Sequence, residues 1–93
     1  MVLLTGAVYS QCNKNNWEYY YPDRMQDCNL AGADLKGADL EWAFLKSANL
    51  SGSNLKGLNL SGAYLQMADL TGTNLTGANL ENADLSKANL KGA

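Results

Sequence analysis

From residue 28 onward the chain carries one apolar rhythm without interruption. Leucine recurs every fifth position at Leu30, Leu35, Leu40, Leu45, Leu50, Leu55, Leu60, Leu65, Leu70, Leu75, Leu80, Leu85 and Leu90. Two residues before each leucine stands a small residue, mostly alanine, with Cys28, Ser53, Thr73 and the bulky Leu58 as departures. The position just before the leucine is Asp or Asn in eleven of thirteen units, and Phe44 and Tyr64 are the exceptions. A period of five suits neither regular element. A helix at 3.6 residues per turn would spread these leucines around every side, and a straight strand would send successive leucines to opposite faces. Within one unit, however, strand-like alternation puts the small residue and the leucine on one side and Asp or Asn on the other. The chain must then turn a corner before the next small residue, so each unit reads as a very short extended segment followed by a turn.

Glycine two places after the leucine supports that corner, because the third residue of a type II turn needs positive φ. Gly32, Gly52, Gly72 and Gly92 form one series spaced by twenty residues, and Gly37, Gly57 and Gly77 form a second. The other two series hold Trp42, Gly62 and Asn82, and Ser47, Met67 and Lys87. A superperiod of twenty means four units per coil. The glycine-rich corners are expected to be type II, and the Trp42 and Ser47 corners to be of another type.

This pattern resembles the pentapeptide-repeat family, whose motif is a small residue, Asp or Asn, Leu or Phe, and two mostly polar residues; the resemblance covers residues 28 to 93. It implies an all-β fold, a right-handed quadrilateral β-helix with the thirteen leucines as its interior ladder. Each coil contributes only four leucines, so stability must come chiefly from neighbouring coils covering one another.

Residues 1 to 27 break the register and are read as an irregular, aromatic-rich cap or degenerate first coil. Val2 to Leu4, Thr5, Gly6, Ala7 and Tyr9 keep a five-residue spacing one frame out of step. Trp17, Tyr19, Tyr20 and Tyr21, followed by Pro22, are expected to cover the open end of the ladder, as solenoid ends require. Phe44 and Tyr64 lie twenty residues apart in the outward column and are expected to stack. With Trp42 and Met67 on adjoining corners they gather into an apolar edge, which either the Trp17 to Tyr21 segment or a partner protein would cover.

Composition narrows the chemistry. The chain has no histidine and a formal charge of −2. The commonest general base is absent, and no enzymatic activity, metal or cofactor is expected. Cys12 and Cys28 lack zinc-ligand spacing, although a single bridge between them fits their number; Cys28 is expected to face the core beneath the cap. Six acids against five lysines in residues 28 to 93 leave a net −1, and the acids do not stack from coil to coil. The expected role is a noncatalytic structural or protein-interaction module with a protein partner. The family resemblance also brings in the alternative of a DNA-like surface binding a type II topoisomerase such as gyrase, for which this near-neutral rod is a poor duplex mimic. Direct nucleic-acid binding is not expected, nor is a membrane span, since no run reaches about 18 apolar residues. Met1 to Tyr9 lacks a charged start, so the default expectation is the cytoplasm, with export left open. An open last coil suggests end-on two-fold stacking into a homodimer or a larger assembly.

Overall fold

The computed structural model describes residues 11–93; the out-of-step spacing of Val2 to Tyr9 lies outside these residues. From Asn29 to Asp69 every outward residue forms a parallel bridge with the residue twenty positions on, as in Asn29 with Asn49, Asp34 with Asn54, Asp39 with Asn59 and Phe44 with Tyr64. Four five-residue units therefore complete each coil. The extended segments are single bridge residues, too short to be strands in the ordinary sense, because the corner follows immediately.

At each corner the N–H of the small residue donates to the carbonyl of the preceding leucine, for example Ala48 to Leu45 at 3.0 Å and Ala63 to Leu60 at 3.0 Å. Only the third residue of each turn has positive φ, which is the type II pattern. Here one expectation fails. Trp42, Ser47, Met67, Asn82 and Lys87 have φ of 63°, 60°, 60°, 61° and 59°, alongside the glycines at 65° to 74°. All four sides of the solenoid turn alike. The reason is that the corner residue's N–H bonds to the next coil whatever its side chain, as Trp42 does to Ser61 O and Ser47 to Gln66 O, both at 2.9 Å. Backbone stacking imposes the turn, and glycine only lowers its cost.

Leu30 to Leu70 are buried, together with the alanines that alternate with them except the half-buried Ala38. Leu58, the one bulky residue in the small-residue column, is fully buried, and Ser53 and Thr73 return their hydroxyls to the corner carbonyls of Leu50 and Leu70. The buried ladder begins one unit before the leucines do. Met25, five residues ahead of Leu30, is fully buried, Asp27 takes the corner position at φ 60°, and its N–H bonds to Lys46 O at 3.0 Å.

Ahead of Met25 the chain makes a shortened coil. Asn13 bridges Asn29, sixteen residues on instead of twenty. Within this coil lies α1 (Trp17–Tyr20), a single helical turn. Trp17, Tyr20 and Tyr21 are partly buried against the core. Tyr19 is not: it is 71% exposed, with its ring edge-on to Tyr20 at 5.2 Å and the Arg24 guanidinium 5.2 Å above it.

Candidate functional site

The Asp and Asn column is accounted for by the turns. In all eleven units that carry Asp or Asn, from Asn29 to Asn89, Oδ1 accepts the N–H two residues on, at 2.9 to 3.3 Å. Each side chain thus satisfies a corner donor that no backbone carbonyl reaches. Where Thr71 and Ser86 add their hydroxyls, the carboxyls of Asp69 and Asp84 are held below their usual range, chiefly by that side-chain hydrogen bond. No two Asp are bridge partners. Amides mediate instead, with Asn59 Nδ2 donating to Asp39 Oδ1 at 3.3 Å and Gln66 Nε2 to Asp84 Oδ2 at 2.9 Å. Among the described residues no cluster of three or more His, Cys, Asp or Glu side chains could hold a metal ion.

The two units without Asp or Asn define the candidate site. Phe44 and Tyr64 are bridge partners, and their rings meet edge to face with centroids 4.7 Å apart and planes at 69°, the geometry that aromatic quadrupoles favour. Trp42 lies on the corner before Phe44, its ring against Gly62 one coil on. A Cβ at Gly62 would collide with the Trp42 ring, so the ring in this position requires glycine there. Trp42 Nε1 donates to Glu41 Oε1 at 3.0 Å. Met67, on the corner after Tyr64, lines a shallow depression with Lys46, Gln66 and Lys87. Trp42, Phe44, Tyr64 and Met67 remain 55%, 38%, 42% and 47% exposed.

The cap approaches this edge without covering it. Phe44 N–H donates to Pro22 O at 2.8 Å, and Tyr21 OH donates to Glu41 O at 2.7 Å. Burial and the nearby Asp39 and Glu41 charges raise the Tyr21 pKa, keeping the phenol a donor. The cap is anchored by a disulfide between Cys12 and Cys28, sixteen residues apart, with both residues buried. Cys28 faces inward beneath the cap and is bonded to sulfur rather than metal. Sequence reasoning singled out the aromatics but passed over Met25 and Arg24; the five-residue offset of Met25 from Leu30 was the available signal.

Stacked coils, type II corners and an aliphatic ladder define a β-solenoid. The family model described as pentapeptide repeats (8 copies) matches residues 24–52 and again 53–92, and the chain belongs to that family. Among solved structures it is similar to a pentapeptide repeat protein from the cyanobacterium Cyanothece 51142, with 40% identity over 72% of this chain and 48% of that one, at a TM-score of 0.62. It is also similar to a pentapeptide repeat protein of the Arabidopsis thaliana thylakoid lumen, with 33% identity over 76% of this chain and 52% of the other, at a TM-score of 0.57. These neighbours imply a right-handed β-helix, and the chain spans about half the length of each. No curated protein matches it. Among the described residues no helix is long and apolar enough to cross a membrane.

Proposed function

We propose that this chain is a noncatalytic protein-interaction module, a right-handed β-helix of quadrilateral cross-section that presents the edge formed by Trp42, Phe44, Tyr64 and Met67 to a partner protein. The observation that carries the reading is the exposure of four large apolar side chains on one edge, while the cap passes beside them. They are preorganised: Trp42 is seated on Gly62, and Phe44 and Tyr64 brace each other across coils. Rigid aromatic anchors lose little entropy on binding and dominate interface energetics. Lys46 and Lys87 beside Met67 suit a partner segment that is apolar at its centre and acidic at its margin. The topoisomerase alternative draws no support from the surface, because each outward ladder carries a single Asp, with no run of acids from coil to coil.

A photo-crosslinking residue at position 42, compared with one at Lys56 on another side, tests the reading in native extract. A discrete crosslinked protein is expected from position 42 alone and should disappear in Tyr64→Ala. Equal crosslinking from both positions would remove the basis for the aromatic edge. Inhibition of gyrase supercoiling by the purified chain would favour the topoisomerase reading instead.

A further inference from the structure

The side of the solenoid that carries the aromatic edge has an order of residues that is complementary to its own reverse. Its outward column is Arg24, Phe44, Tyr64 and Asp84, spaced by twenty. Phe44, Tyr64 and Asp84 are joined by bridges, and Arg24, beside the inward Met25, stands one rung before them. Arg24 is exposed, its guanidinium steadied 5.2 Å and 5.7 Å over the Tyr19 and Tyr20 rings. The corner column that follows is Asp27, Ser47, Met67 and Lys87, at φ of 60°, 60°, 60° and 59°. One column therefore runs basic, aromatic, aromatic, acidic, and the other acidic, small, apolar, basic.

A surface that complements this side is the same side turned end for end. We propose that the aromatic edge docks on the same edge of a second copy, about a two-fold axis that crosses the side between Phe44 and Tyr64 and sets the two solenoids antiparallel. The proposal rests on the aromatic edge being an interaction surface and names its partner. Reversal brings Phe44 onto Tyr64 of the second copy, Arg24 onto Asp84 and Asp27 onto Lys87, while Met67 meets the small Ser47. Glu41 and Lys46 then face the uncharged Ser61 and Gln66. The Trp42 ring leans from its own rung onto Gly62 of the next, so it lies at the level of the axis and meets its counterpart there.

The other two-fold arrangement, with the solenoids parallel, sets Arg24 against Arg24 and Asp84 against Asp84 along the axis. It brings Glu41 to Lys46 in exchange, but an exposed pair at the rim contributes little, whereas like charges brought together in the middle of an interface are costly. The antiparallel pair is therefore favoured. An isologous contact closes on itself, so association stops at two copies. The side is about 22 Å across, and four rungs at about 4.8 Å make it roughly as tall, so each copy offers on the order of 400 Å², the size class of weak, reversible complexes.

Sedimentation equilibrium of the full chain, with its disulfide intact, from micromolar to millimolar concentration tests this. A monomer in equilibrium with a dimer is expected, the mass levelling at two copies, and Phe44→Ala/Tyr64→Ala should remain monomeric throughout. Lys87→Asp, which faces Asp27 of the second copy, should weaken the pair about tenfold, since the contact on each copy turns from attraction to repulsion. Asp27→Lys/Lys87→Asp should recover the parent affinity, because the exchanged charges still meet. Both positions are exposed corners of the same backbone conformation, so the exchange leaves the fold in place. A parent chain that is monomeric at millimolar concentration, or whose mass climbs past the dimer, overturns the proposal. So does a dimer that Phe44→Ala/Tyr64→Ala leaves intact, or one that the double exchange fails to restore. If the pure chain is monomeric while position 42 still captures a different protein in native extract, the aromatic edge stands as an interaction surface and its pairing with a second copy is refuted.

Discussion

Leu30, Leu40 and Leu45, beneath the cap, are fully buried, whereas Leu75, Leu80 and Leu85 are half-buried and Leu90 is exposed, although all seven occupy the same place in the same motif. The difference is whether something lies on the next rung. At the N-terminal end an aromatic segment, a buried methionine and a disulfide supply it; at the C-terminal end the described chain supplies nothing. In a one-dimensional stack a residue's worth is set by its neighbours as much as by its identity. The two ends should therefore respond very differently to the same chemical change.

The largest effect is expected inside the ladder. Leu60→Ala, with coils on both sides, should cost about 2–5 kcal/mol, and Leu90→Ala less than about 1 kcal/mol, in urea unfolding. Equal costs at the two positions would mean that burial does not govern the ladder. Removing the bridge with Cys12→Ser/Cys28→Ser should cost about 3 kcal/mol, the loop-closure value for a loop of this length, and dithiol addition to the parent chain should reproduce the loss. The loss should be greatest at the capped end, with amides such as Asn29 and Phe44 exchanging faster before any change in the coils below.

Smaller effects sharpen the contrast between side-chain and backbone control. A double-mutant cycle on Phe44→Ala and Tyr64→Ala should return a coupling of about 1 kcal/mol for the edge-to-face pair. Ser47→Gly should stabilise the chain by up to about 1 kcal/mol, because it relieves a left-handed non-glycine residue at an exposed corner; a loss would mean that the Ser47 side chain contributes to the corner in its own right. The smallest effect concerns acid. Asp69 and Asp84 have lowered pKa values in the folded chain, so their contribution to stability is present above the ordinary Asp value and is lost as pH falls through the lowered one. The Asp69→Asn/Asp84→Asn variant, which keeps the Oδ1 acceptor, should show a shallower acid limb and nearly unchanged stability at neutral pH.

Much of the fold was legible because the motif is local. The leucine spacing specified an inward ladder, the glycine series specified twenty residues per coil, and the Phe44 and Tyr64 offset of twenty predicted the stacking that the structure shows. The superperiod misled at the corners. Glycine frequency reports how strongly a side chain disfavours positive φ, but it does not report the turn type, which the backbone bonds of adjacent coils impose at Trp42 and Ser47 as firmly as at Gly52. The Asp and Asn column was visible as a pattern without its reason, since the corner N–H that each side chain satisfies becomes identifiable only once the turn is known.

By itself the sequence determined the period, the interior set and the meeting of Phe44 with Tyr64, because each follows from spacing along a regular path. Only the tertiary structure decided that Cys12 and Cys28 are joined, that Met25 extends the ladder, and that Tyr19 points away from the core while Tyr20 and Tyr21 pack on it. Each of these depends on a contact between segments with no common register, which is not written in the period of the side chains.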